Sequence, residues 1–161
     1  MEHAYVVEAR HRFGFGRLHG VAADGWIRRH VVHRAKAVDE RLAQDLSQLK
    51  IWSSLPVMQD ALVGDSGGDI VRALESFKAQ YTDFTSLIAT DSRGKVVAST
   101  TKPARGEDIS ADEGFLAAAS GRIFQGNYGH RSSAEADAIA FSVPVLASYD
   151  GQTVIGTLTG V

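Results

Sequence analysis

The strongest constraint in this sequence is a short hairpin signal near its middle. Two strand-like runs, 84–90 and 95–100, are separated only by the turn Asp91-Ser92-Arg93-Gly94. So short a connection permits only an antiparallel pair, and Gly94 supplies the left-handed backbone such a turn demands. Three more strands are expected: one within 122–128, then 138–147 and 153–161, the last two joined at Tyr149-Asp150-Gly151. A short helix should interrupt this meander. Ser110-Ala111-Asp112-Glu113 reads as a capping box with serine at the cap and glutamate three on, and Gly121 ends the helix.

Ahead of the hairpin the period changes from two to between three and four. Asp24 is the expected N-cap of a long helix whose Ala35, Val38, Leu42, Leu49 and Trp52 recur at three-and-four spacing. Val31 extends the stripe upstream, and Leu46 sits beside its interruption at Asp45. Close to thirty residues make a rod of about 45 Å. Such a stripe suits two uses, packing one side of a sheet or forming a stalk and dimer seam at heptad spacing. Pro56 marks a break and a helical restart, residues 64–68 a loop, and Asp69 the cap of a second helix with its stripe at Ile70, Leu74, Phe77 and Tyr81. Helices followed by a helix-interrupted antiparallel meander define an α+β class.

Residues 1–24 carry Arg10, Arg12, Arg17, Gly14, Gly16 and Gly20 without a sustained period, and read as a poorly ordered lead-in to a single domain over 25–161. The 161 residues suit one hydrophobic core. A net charge of −2 gives no reason to expect nucleic acid, and the absence of cysteine excludes thiolate catalysis and Cys-based zinc sites. No apolar run approaches the ~18 residues of a membrane span. Met1-Glu2-His3 lacks the basic-then-apolar order of a secretory signal, so any membrane attachment is expected through segments outside this sequence.

Each string that suggests chemistry has a simpler explanation. Gly64-Asp65-Ser66-Gly67-Gly68 matches the nucleophile segment of chymotrypsin-like proteases, but it lies between helices in a chain too short for two barrels. His30 and His33 have no carboxylate partner at zinc-motif spacing, and Asp60, Asp65 and Asp69 lack the ligand order of a calcium loop. Asp112 and Glu113 are accounted for by a helix start. No catalytic residue, metal ligand or cofactor is expected.

The second half of the chain has a resemblance. Residues 84–91 followed by Gly94-Lys95-Val96-Val97-Ala98-Ser99 look like the first hairpin of Cache domains, the PAS-like sensor domains of bacterial transmembrane receptors. Gly106-Glu107-Asp108-Ile109-Ser110, Phe115 and Ala117-Ala118-Ala119-Ser120-Gly121 resemble that family's loop and short helix. Residues 139–145, Asp150-Gly151, Ile155-Gly156 and Gly160 resemble its closing strands, and the likeness covers 27–161. The resemblance implies a PAS-like antiparallel sheet flanked by a long N-terminal helix, outside the cytoplasmic membrane. It also implies a small-molecule sensor, not an enzyme, that passes a shift through its terminal helices to a chemoreceptor, histidine kinase or cyclic-di-nucleotide enzyme. A homodimer through the long helix is expected, with continuation past Val161, where the chain stops inside a strand.

Carried onto this sequence, the family's pocket maps to Asp112 and Phe115 and to the stretch with Tyr128, His130 and Arg131. That stretch offers an aromatic wall, a titratable imidazole and a guanidinium suited to carboxylate. Asp112 and Glu113, by contrast, would disfavour an anion and favour an amine or cation unless they face solvent as cap residues. Asp112-Glu113-Gly114 departs from members that carry an arginine and an aromatic residue there, which leaves the ligand class open. The alternative is a cytoplasmic PAS-type module for protein contacts or a cofactor.

Overall fold

The computed structural model describes the backbone of residues 21–127 and 139–161 and the side chains of 36–126 and 139–161. Helix α1, Val21–Ser53, is followed by a 3₁₀ helix, Pro56–Val63, and by α2, Asp69–Gln80. Strands β1 (Leu87–Asp91) and β2 (Val96–Ser99) form the hairpin, and α3 (Glu113–Ala119) precedes β3 (Phe124–Asn127), β4 (Ile139–Leu146) and β5 (Val154–Gly160). The five strands make one antiparallel sheet in the order β2-β1-β5-β4-β3. The α+β class and the helix–hairpin–helix–strand order agree with the sequence reading. Chain contacts group Leu42–Val161 into one compact unit and Met1–Arg41 into another. Of the lead-in, residues up to Gly20 lie outside the described residues, and α1 begins at Val21, ahead of Asp24.

Pleating sorts the side chains of the sheet onto two faces. One face presents Leu87, Ala89, Phe141, Val143, Val145 and Leu158 to Leu49 and Trp52 of α1, Met58 and Ala61 of the 3₁₀ helix, and Ile70 and Leu74 of α2. Eight of these, Leu49, Met58, Ile70, Leu74, Leu87, Ala89, Val145 and Leu158, are 0% exposed and make this the main core. Trp52 joins its parts. Its ring stacks on Phe77 at 4.6 Å and meets Tyr81 and Phe84 edge-on at 5.2 and 5.5 Å. Aromatic pairs in these geometries contribute about 0.5–1.5 kcal/mol each beyond area burial.

This packing corrects part of the expected dimer seam. Leu49 and Trp52 are spent on the chain's own core, whereas Val38 is 54% exposed. Three-and-four spacing reports an apolar stripe and not what covers it.

Two further local readings change. Phe84 precedes β1 and serves as a core side chain, while Thr85 and Ser86 amides pair with the carbonyl of Val161. Asp69 does not cap α2. That task falls to Asp65, whose fully buried carboxylate accepts from the amides of Ile70 at 2.9 Å and Val71 at 3.3 Å, while Asp69 pairs with Arg72 on the surface. The protease-like string 64–68 is therefore a helix-start device, with its acidic residue satisfied by the positive end of α2.

The 3₁₀ helix lies across the main-core face and is tied beyond it. Gln59 donates to the carbonyl of Leu146 and accepts from the amide of Ser148, both at 2.9 Å, as a neighbouring strand would. Pro144, two residues earlier, has no amide to offer there, which together with Gln59 blunts the part of β4 beyond its pairing with β3.

Close approach of backbone elements fixes Gly156 in β5. A Cβ there would lie 2.1 Å from the carbonyl oxygen of Thr90 and 3.5 Å from the Ala61 side chain. Gly156→Ala is expected to lower unfolding stability by about 1–3 kcal/mol through overpacking, read as a fall in the urea midpoint at unchanged m-value.

Candidate functional site

The opposite face of the sheet is built differently. It carries the small apolar cluster Ile88, Val96 and Ile109, and beside it the strands place hydroxyls. Register sets Thr90 opposite Thr157 and Ser142 opposite Thr159. The two hydroxyl pairs are each 2.8 Å apart, and all four residues are buried. A hydroxyl pair uses one of its two protons internally, so each pair retains a second O–H to donate elsewhere. Four buried hydroxyls across three adjacent strands make this a polar floor.

The loop after β2 and helix α3 cover this floor. Ile109 donates its amide to the carbonyl of Gly94 at 2.9 Å, and its side chain fills the small cluster. A Cβ on Gly94 would lie 2.6 Å from the Cα of Ser110, so hairpin turn and loop touch backbone to backbone. Pinning 109–110 to the hairpin delays the helix and overturns the capping-box reading. The cap is Asp112, whose Oδ1 accepts from Gly114 at 2.9 Å and Phe115 at 3.3 Å. Ser110 instead satisfies Asp108, whose carboxyl is held below its ordinary pKa by the Ser110 hydroxyl first and the Ser110 amide second.

Helix α3 then rests directly on the sheet. A Cβ on Gly114 would sit 2.5 Å from Ser142 Oγ and 3.3 Å from the Phe124 ring, a spacing that only glycine allows. Phe115 and Ala118 are buried beneath the helix, and Leu116 is exposed on its outer side. A recess of about 440 Å³ runs between α3 and β3, bordered by Glu113, Leu116, Arg122, Phe124 and Gln125.

Of the residues mapped from the sequence, the structure brings Asp112 and Phe115 together in the first turn of α3, next to the Ser142–Thr159 pair. Asp112 is half-buried and committed to the helix start. Tyr128, His130 and Arg131 lie outside the described residues. Sequence reasoning missed Thr90, Ser142, Thr157 and Thr159. Their signal was the alternation of hydroxyl and apolar residues in 157–159, but their pairing required the register of three strands. Among the described residues, no three His, Cys, Asp or Glu side chains group as a metal site, and no helix is long and apolar enough to cross a membrane.

The cap carries the next expectation. Asp112→Ala should cost about 1 kcal/mol by leaving two amides of α3 without their acceptor, whereas Asp112→Asn should recover most of it. Urea unfolding of the three proteins measures both.

No protein-family model matches the sequence, and no curated protein is significantly similar to it. Solved structures do match. The sensor domain of Escherichia coli DcuS superposes with a TM-score of 0.62 at 16% identity, over 76% of this chain and 87% of that one. The sensor domain of the Vibrio cholerae histidine kinase DctB gives 0.70 at 16% identity, over 86% of this chain and 55% of its own. The ligand-binding domain of the Campylobacter jejuni chemoreceptor Tlp3, in complex with 4-methylisoleucine, gives 0.54 at 17% identity, over 83% and 53%. This chain thus spans about half the length of the DctB and Tlp3 domains. Its fold is the PAS-like α+β fold of these bacterial, Cache-type sensor domains.

Proposed function

We propose that this chain is the small-molecule-sensing domain of a bacterial signal-transduction receptor, and that it acts by binding and not by catalysis. The observation that carries this reading is the fold shared with sensor domains from a histidine kinase and a chemoreceptor, one of them solved with an amino-acid-like molecule. The ligand belongs on the hydroxyl-floored face. There Asp112 and Phe115 mark the first turn of α3, and the family resemblance adds Tyr128, His130 and Arg131 to the ligand set. The spare protons of the Thr90–Thr157 and Ser142–Thr159 pairs would donate to a carboxylate or carbonyl, and Arg131 would clamp a carboxylate bidentately.

The mechanism is a difference in affinity between two positions of α3. Gly114 lets the helix close against Ser142, so a molecule on this floor must favour a state with the helix lifted. A ligand shifts that balance only by as much as it prefers one state over the other. The receptor reading places the domain outside the cytoplasmic membrane, anchored through neighbouring segments, with no cofactor. It pairs two copies through the exposed side of α1 that includes Val38.

Two measurements test this. In a thermal-shift screen of amino acids, short carboxylates, amines and purines, a cognate ligand at 100 times its Kd should stabilise the fold by about 2.7 kcal/mol. That corresponds to a rise of several degrees in Tm, and Arg131→Ala should abolish it for a carboxylate. A panel with no hit counts against direct sensing. For assembly, Val38→Glu should lower the dimer fraction in sedimentation while leaving the unfolding free energy of the monomer within about 0.5 kcal/mol of the parent. An unchanged sedimentation profile removes the α1 seam.

A further inference from the structure

We propose that Arg105 is a latch, through which the turn 104–107 on the loop leading into α3 sets the position of α2 and of its aromatic stack on Trp52. The proposal rests on the sensing reading above, for it gives that site a route to the helical side of the domain. Arg105 Nη2 donates to the carbonyls of Gly64 at 2.7 Å and Asp65 at 2.8 Å, some forty residues away in sequence. Those two carbonyls reach one donor because Gly64 and Asp65 both hold left-handed backbone, with φ of 73° and 51°. Successive residues in one helical sense turn their carbonyls the same way, at the C-terminal, electronegative end of the 3₁₀ helix.

Both ends of the link are stiff. On the loop side, Gly106 donates to the carbonyl of Val96 and Val96 to that of Glu107, both at 2.8 Å, so the turn is paired to the outer edge of β2. Glu107 Oε1 also holds the Ala104 amide at 2.8 Å and closes the turn on itself. On the helical side, the residue whose carbonyl Arg105 grips is the one whose carboxylate caps α2. Helix α2 in turn carries Phe77, stacked within 5° of parallel on Trp52. The connection passes round the β2 edge of the sheet and needs no path through the core. The same loop continues to Ile109 and to Asp112, the cap of α3, so a displacement of α3 bears on the segment that holds Arg105.

A mutant cycle read at Trp52 tests the latch without any ligand. Trp26 and Trp52 are the two tryptophans, so a Trp26→Phe protein grown with 5-fluorotryptophan reports Trp52 alone by fluorine NMR. Glu107→Ala frees the Ala104 amide and loosens the turn, and should shift the Trp52 resonance. In an Arg105→Ala background that response should be lost. Residues joined in one hydrogen-bond network are those for which such cycles are non-additive. If Arg105→Ala does not fold, Arg105→Met keeps the apolar stem and removes the donors. Gln59→Ala cuts the other side-chain tie of the 3₁₀ segment and leaves the turn alone, so the response should survive in it. Three outcomes overturn the proposal: no shift from Glu107→Ala, an equal shift with and without Arg105, or loss of the shift in Gln59→Ala as well. None of them depends on whether a sensed molecule is found, and an empty ligand screen leaves the cycle as it stands.

Discussion

The alternation along β5 governs the rest of the molecule. This strand is paired on both sides, by β1 and β4, and every residue from Ile155 to Gly160 is buried. Leu158 points to the helical side and Thr157 and Thr159 to the other, so one strand divides the domain into a dry face and a hydroxylated face. A shift of one residue in its pairing would put the threonines into the main core and Leu158 among the hydroxyls. The cost of burying unpaired hydroxyls, about 1–3 kcal/mol each, makes that alternative unfavourable and locks the register.

Where the elements approach one another, glycine sets the distance. Gly156 admits the Thr90 carbonyl, Gly160 admits Phe84 and Leu49, and Gly114 brings α3 onto Ser142. The first two fix the helical layer on the dry face. The third places a short helix, itself without a side chain at that point, over the hydroxyl floor. The 3₁₀ segment completes the frame, held to β4 by Gln59 and to the loop beyond β2 by Arg105.

Locally encoded features were legible in the sequence. Asp91 and Gly94 form the expected turn, with Asp91 Oδ1 accepting from the Arg93 and Lys95 amides and Gly94 at φ 85°. The stripe Ile70, Leu74 and Phe77 predicted α2, and its residues face the core. Caps were less legible, because several acidic or hydroxyl residues precede each helix and tertiary contacts choose among them. Asp65 replaces Asp69 because its side chain is the buried one, and Asp112 replaces Ser110 where Ile109 is pinned to the hairpin. Within the candidate site, Asp112 and Phe115 were named from the resemblance, and the structure sets them together in the first turn of α3. The four hydroxyl residues were not, since a threonine in a strand does not reveal its cross-strand partner.

The sequence by itself determined the α+β class, the hairpin, the order of elements and the apolar stripes, because these depend on periodicity and turn chemistry over fewer than a dozen residues. Tertiary structure alone decided that Leu49 and Trp52 serve the domain's own core and not a seam between copies. It decided likewise that Thr90, Ser142, Thr157 and Thr159 form one floor, and that Arg105 reaches Gly64 and Asp65. The physical reason is common to all three. An apolar stripe, a hydroxyl and a guanidinium each state what kind of partner they require, and only the register and packing of distant segments determine which partner they get.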